Sequence, residues 1–180
     1  MKKIISKINR NTKIVAIVLI VLTVALVVLA CLNRENVAEK KEMQENGTFI
    51  ITANGEQTII TMDDIIALEP RVIDANYKKS GKEPVQKQYT GVALKSIFDY
   101  FNIDYSEAKS VSFTAADGYA SALTIGEALN EENCFIVIEE EGEPLGTKEN
   151  GGKGPYMMIL ANDQFSQRWC KFLLEIELRG

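Results

Sequence analysis

The 180-residue chain has no histidine and three cysteines, so acid or base work near neutral pH falls to a carboxylate, a tyrosine or a lysine with a shifted pKa. No paired arrangement of these suggests a catalyst, and histidine-ligated zinc and haem are excluded. The stretch with the clearest local pattern of ligand-type groups is Val111 to Ile125, VSFTAADGYASALTI. Val111 and Phe113 alternate with Ser112 and Thr114 as in a strand, and Ala120 to Leu123 resumes after a polar break at Asp117-Gly118. The common hairpin turn needs positive φ at both central positions, which Gly118 adopts freely and Asp117 tolerates. Asp117 and Tyr119 are then a carboxylate and a phenol at the end of a rigid hairpin, where binding groups tend to sit. A plain hairpin turn is the alternative.

The elements that must hold such groups begin after an unusual start. Lys2, Lys3, Lys7, Arg10 and Lys13 precede a run from Ile14 to Leu32 in which Thr23 is the only clearly polar residue. Nineteen helical residues extend about 28 Å, enough to cross a hydrocarbon core. The basic flank places residues 1–13 in the cytoplasm and the domain that follows the apolar run outside. Val28-Leu29-Ala30-Cys31 also resembles a lipobox, which makes Cys31 a lipidation candidate, so segment 14–32 reads as a transmembrane anchor or a lipoprotein signal. Residues 33–46 are polar and read as a solvated tether. With five of the 20 basic residues before the run, 15 remain against 25 acidic ones, a formal charge of −10 for the remainder. That balance argues against nucleic acid as a partner.

Residues 47–180 read as one domain. Phe49 to Ala53 and Gln57 to Thr61 predict strands around the hairpin turn Asn54-Gly55. Thr61 caps a short helix through Leu68, ended by Glu69-Pro70. Arg71 to Tyr77 and Val85 to Thr90 are extended around Lys79-Ser80-Gly81-Lys82, and Gly91 opens a helical stretch, VALKSIFDYF. Thr124 and Glu127 have capping-box spacing ahead of a helix over 125–129. Cys134 to Ile138 is an apolar run typical of a strand buried on both faces, Glu139 to Lys153 an exposed loop, and YMMILA another strand. The last strand alternates Leu174, Ile176 and Leu178 inward. The sum is a strand-rich α+β domain of eight to ten short strands with three short helices. Cys134 and Cys170 sit in apolar strand contexts, as buried thiols or as a disulfide.

The order of hairpin and helix, YTGVALKSIFDYF, VSFTAADGYASALTI, FIVIEEEGEPL, GPYMMILA and RWCKFLLEIEL resembles the sulfite-oxidase-type molybdopterin-binding domain, the oxidoreductase molybdopterin-binding family. The resemblance spans Phe49 to Leu178 and is nearest to short, membrane-tethered members made of this one domain. It implies a mixed α+β fold on a twisted, partly barrel-like sheet. It also implies a molybdenum centre held by a pterin dithiolene and one cysteine thiolate, a soft donor. That cysteine falls between the first helix and the segment matching Tyr89 to Leu94, where this chain reads RVIDANYKKSGKEPVQKQ and has none. The family's histidine and arginine near Gly154-Pro155-Tyr156-Met157 are missing too, with Met157 in the arginine's place.

Gly91, Asp117-Gly118-Tyr119, Gly154-Pro155 and Arg168-Trp169-Lys171 do match the family's pattern. As structural residues they serve turns and core. As functional ones, Asp117, Gly118, Tyr119, Gly154, Tyr156, Arg168 and Lys171 form a remnant ligand site, the rings offering flat surface and the guanidinium a fork for carboxylate or phosphate. The resulting expectation is a membrane-tethered, extracytoplasmic, non-catalytic domain that binds a small anionic or pterin-like ligand or an envelope redox protein, with molybdopterin implied by resemblance alone. The alternatives are a molybdenum-dependent oxidoreductase with atypical ligation and an assembly protein with an empty pocket.

Overall fold

The computed structural model describes residues 10–78, 81, 83–148 and 150–180, with side chains for all of these except 10–13 and 30–37. The chain divides into two units, Met1–Glu39 and Lys40–Gly180. Helix α1 (Arg10–Glu45) runs through the apolar segment. Its apolar side chains from Ile14 to Leu29 are half or more exposed. Among the described residues no helix is long and apolar enough to cross a membrane; Ala30, Cys31 and Leu32, which complete the apolar run, lie outside the described side chains. The polar stretch expected as a tether is helical as far as Glu45. Its Glu, Lys, Met and Gln residues favour helix, and a helix already under way needs no new nucleus.

In the second unit, β1 (Thr48–Ala53) and β2 (Glu56–Thr61) form the expected hairpin, with Asn54 and Gly55 at φ of 53° and 82°. Helix α2 (Met62–Ala67) carries the full capping box, Thr61 Oγ1 accepting from Asp64 N at 3.3 Å and Asp64 Oδ2 accepting from Thr61 N at 2.8 Å. Thr61→Ala is expected to lower stability by about 1 kcal/mol, read as a shift in the urea midpoint. Strands β3 (Arg71–Tyr77) and β4 (Val85–Ala93) follow; three of the four residues of the expected Lys79–Lys82 turn lie outside the described residues. Helix α3 (Leu94–Tyr100) starts three residues later than its sequence pattern suggests. Gly91, Val92 and Ala93 are held in β4 by pairing with Val137, Ile136 and Phe135, and a Cβ on Gly91 would lie 2.4 Å from Ile136 O. That close approach requires glycine.

The chain continues through β5 (Ser110–Ala115), β6 (Ala120–Thr124), α4 (Ile125–Ala128), β7 (Cys134–Glu140), β8 (Glu143–Pro144), β9 (Met157–Leu160), a 3₁₀ turn (Ser166–Arg168), β10 (Cys170–Lys171) and β11 (Leu173–Arg179). Glu139 and Glu140 extend β7 rather than opening a loop, because Thr90 and Tyr89 of β4 pair with them. One sheet has the order β2-β1-β11-β5-β6; the other runs β10-β9-β7-β4-β3, with β8 on β7. Residues of both sheets, among them Phe49, Phe113, Ile136, Met158 and Ile176, share one core. The second sheet is curled so that its two edges approach through side chains. Ser166 Oγ accepts from Lys78 N at 3.2 Å and donates to Lys78 O at 2.9 Å, and Lys171 Nζ donates to Tyr77 Oη at 3.2 Å. No ladder joins β10 to β3, so the barrel is not closed.

The disulfide considered for Cys134 and Cys170 is absent: both thiols are free and buried. Cys134 lies on β7 and Cys170 on β10, with β9 between them. Two strand spacings are about 10 Å, beyond the roughly 7 Å over which a bridge can form.

Candidate functional site

The curl of the second sheet gathers charged groups from four segments around one ring, that of Tyr77. Tyr77 and Lys87 are on the β3–β4 hairpin, two positions apart in register on one face. Glu140 is opposite Tyr89 on the neighbouring strand β7. Lys153 stands on the loop after β8, where its N–H donates to Leu145 O at 2.9 Å and its carbonyl accepts from Phe172 N at 2.7 Å. Lys171 comes from β10. The three ammonium groups lie 5.6 Å (Lys87), 4.6 Å (Lys153) and 5.3 Å (Lys171) from the centre of the Tyr77 ring, whose quadrupole attracts them. Glu140 bridges Lys87 and Lys153, one carboxylate oxygen to each. Among the described residues Lys171 has no carboxylate partner.

Side-chain exposures of 29% for Lys87, 18% for Lys153 and 14% for Glu140 place the group half inside the protein, where charge interactions are screened less than at the surface. Burial pushes the Glu140 carboxyl up, but its bonds to Lys153 and Lys87 outweigh this and hold it below its ordinary range. With Glu141 at the adjoining cleft counted beside Glu140, three cations and two anions leave the group at +1 in a domain that is acidic overall. A cleft of about 280 Å³ opens beside it, lined by Lys87, Glu140, Glu141, Pro144, Leu145 and Lys153 with the backbone of Gly151 and Gly152.

Trp169 is the support beneath. It is buried, donates from Nε1 to Leu160 O at 3.3 Å, and packs 6.0 Å from the Tyr77 ring and 5.5 Å from the Tyr89 ring. Among the described residues the buried Tyr89 hydroxyl has no hydrogen-bond partner. Burial and then the Glu140 carboxylate push its pKa far up, so it remains a neutral donor.

Of the residues singled out in the sequence, only Lys171 belongs to this group. Asp117 is exposed and accepts from Tyr119 N at 3.0 Å. Only Gly118 in that turn has positive φ, 86°, so the turn is not the expected type; the bond from Gly118 N to Ala115 O at 3.0 Å closes it with Asp117 at negative φ. Tyr119 Oη donates to Gln167 O at 2.8 Å, fastening the hairpin to the 3₁₀ turn. Arg168 is occupied by two carboxylates: Nε and Nη2 donate to Asp163 at 2.9 and 2.7 Å, and Nη1 to Glu127 at 2.9 Å. Tyr156 is fully buried, its hydroxyl donating to Gly47 O at 2.6 Å and its ring edge-on to Phe49 at 4.8 Å. Gly154, at φ of 99°, meets the Phe172 backbone, 2.7 Å from a Cβ built there. These residues are not brought together in one cleft. Nothing in the sequence pattern marks Tyr77, Lys87, Glu140 and Lys153 as a group, although the lysine-rich stretch that matches the position of the family cysteine contains Tyr77 and Lys87.

The structure matches the crystal structure of the sulfane dehydrogenase SoxCD from Paracoccus pantotrophus with a TM-score of 0.61 at 13% identity, over 75% of this chain and 38% of that one. The shared feature is the fold. This class is a strand-rich α+β domain of the molybdopterin-binding type. The family model described as the oxidoreductase molybdopterin binding domain matches residues 60–180, and the chain belongs to that family. No curated protein matches the sequence.

The described residues of the domain do not fit the family's metal centre. A molybdenum ligand must be a thiolate within reach of the cofactor. Cys134 and Cys170 are wholly inaccessible, and burial raises both thiols, Cys170 to about 12. Among the described residues no three of His, Cys, Asp and Glu are grouped to hold a metal ion.

Proposed function

We propose that this domain is a non-catalytic family member that binds a small anionic molecule in the cleft beside Tyr77, and that segment 14–32 holds it at the outer face of the cytoplasmic membrane. The convergence of Lys87, Lys153 and Lys171 on one ring carries the reading. An entering anion meets a site of net charge +1, counting Lys87, Lys153 and Lys171 against Glu140 and Glu141, in which Lys171 has no carboxylate partner among the described residues, while Glu140 keeps the other two lysines in place. The Tyr77 ring and the Trp169 beneath it fix where the charges stand. The membrane part rests on the basic flank and the nineteen-residue run that follows it, polar only at Thr23.

Inorganic phosphate at constant ionic strength serves as the probe, with the full chain in detergent micelles. At ten times its dissociation constant a ligand stabilises by about 1.4 kcal/mol, a rise of roughly 3–6 °C for a domain of this size. Lys153→Ala and Lys171→Ala are expected to lose most of that rise, and Arg168→Ala to keep it. Equal responses in the wild type and both lysine variants would remove the cleft from the proposal.

A further inference from the structure

The cleft beside Tyr77 offers a ligand few donors and one idle acceptor. Along its loop wall the backbone N–H groups are already used: Gly151 N donates to Lys148 O at 3.1 Å, Gly152 N to Thr147 O at 2.8 Å and Lys153 N to Leu145 O at 2.9 Å. Leu145 N donates to Ile138 O at 3.0 Å, and Pro144 has no N–H. The loop therefore makes no nest of free amides of the kind that holds a bare anion, and the ammonium groups are the donors that remain. Two carboxylates, Glu140 and Glu141, also line the cleft. Glu140 gives one oxygen to Lys87 and the other to Lys153. Glu141 differs. It stands in the tight turn after β7 at φ of 57° and is joined to Gln88 twice, its N–H donating to Gln88 O at 2.8 Å and its Oε1 accepting from Gln88 N at 2.8 Å. The second bond fixes the carboxylate on the cleft wall. Its other oxygen, Oε2, has no partner among the described residues, and an ionised carboxylate can only accept.

We infer that the cleft selects an oxyanion that keeps a proton at neutral pH, hydrogen phosphate being the simplest, and that Glu141 Oε2 accepts the hydrogen bond from that proton. The inference rests on the reading that the cleft binds an anion, and it names the class of anion. Sulfate has the same tetrahedral shape and, in alkaline solution, the same charge as hydrogen phosphate, but it has no hydrogen to donate. With the loop amides used, a bound sulfate sets an oxygen against an acceptor of like charge, and both are left unsatisfied. Hydrogen phosphate turns that repulsion into a charge-assisted O–H···O bond, while its other oxygens accept from the lysines. The phosphodiesters of lipid headgroups lack that hydrogen too and are rejected with sulfate. Closed sites reject an analogue that lacks a needed hydroxyl by about 10⁴–10⁵-fold; in this solvent-open cleft about ten-fold is expected.

Isothermal titration of the full chain in detergent micelles, at constant ionic strength, compares sodium phosphate with sodium sulfate at about pH 8.5, where both are dianions and the proton is the difference. Phosphate is expected to bind at least about ten-fold tighter. Glu141→Gln is the diagnostic variant. Gln88 N still needs an acceptor, so the substituted amide turns its carbonyl oxygen there and presents its NH₂ where Oε2 was, exchanging an acceptor for a donor. Sulfate binding is expected to rise and the preference to fall to about two-fold or less. Lys153→Ala is expected to weaken both anions and keep the wild-type preference, which separates loss of charge from loss of the acceptor. Wild-type affinities for the two anions within about two-fold of each other overturn the inference and leave the anion site standing. A Glu141→Gln chain that keeps the full preference for phosphate also overturns it. If neither anion binds the wild type, the anion reading itself fails and the inference falls with it.

Discussion

Trp169→Ala is expected to cost about 3–5 kcal/mol, the range for emptying a buried tryptophan site, and to weaken anion binding with it. Trp169 fills the space between the Tyr77 and Tyr89 rings and donates to Leu160 O. Without it the Tyr77 ring loses the packing that sets its position, and the three lysines lose the surface they converge on. The Tyr89 hydroxyl gains no partner from the change and is left beside a cavity. Denaturant unfolding of the full chain measures the loss, and the phosphate-dependent rise in melting temperature reads the site. Trp169→Phe keeps a ring against both tyrosines and is expected to retain more of both. A Trp169→Ala chain with wild-type stability would mean that the curled sheet does not depend on this contact.

Glu140→Gln is expected to separate folding from binding. The substitution leaves Lys87 and Lys153 facing each other without the carboxylate between them. Breaking a fully buried pair costs about 3–5 kcal/mol; with both lysines partly exposed, about 2 kcal/mol is expected. Burial raises the Glu140 carboxyl and the bonds to Lys153 and Lys87 pull it down further, so its pKa in the folded chain lies below the unfolded one. Stabilisation from such a group is complete above the unfolded value, about 4.3, and is lost as pH falls through the folded value. The wild type should therefore lose stability relative to Glu140→Gln as pH falls below about 5, seen as converging urea midpoints. Removing the carboxylate also raises the site from +1 to +2, so phosphate should stabilise the variant more than the wild type. A weaker response in the variant would show that Glu140 positions the lysines more than it opposes the ligand.

Much of the fold was legible in local pattern. Asn54-Gly55 marks a hairpin because both residues accept positive φ, and Thr61 and Thr124 mark helix starts because their hydroxyls satisfy free N–H groups. The same logic misjudged Asp117-Gly118, where the turn spans more residues and only the glycine needs positive φ. It also missed Glu141-Gly142, whose φ values of 57° and 79° make the tight turn after β7; the neighbouring acidic residues read as loop. Gly91 was read as a helix start because the apolar spacing after it is helical, whereas pairing with Val137 keeps it in a strand.

By itself, the sequence determined the inventory: an apolar leading segment, an acidic strand-rich domain, its family, and the absence of histidine and of the family's cysteine. These are properties of residue types and of neighbours within a few positions. The tertiary structure decided which side chains meet. Tyr77, Lys87, Glu140, Lys153 and Lys171 are spread over ninety-five positions, and no periodicity links them. Strand register sets which residues share a face, and the curl of the sheet brings its opposite edges together; both depend on packing of the whole core. Arg168 shows the converse: its type suggested an anion fork, and its place in the fold gave that fork to Asp163 and Glu127.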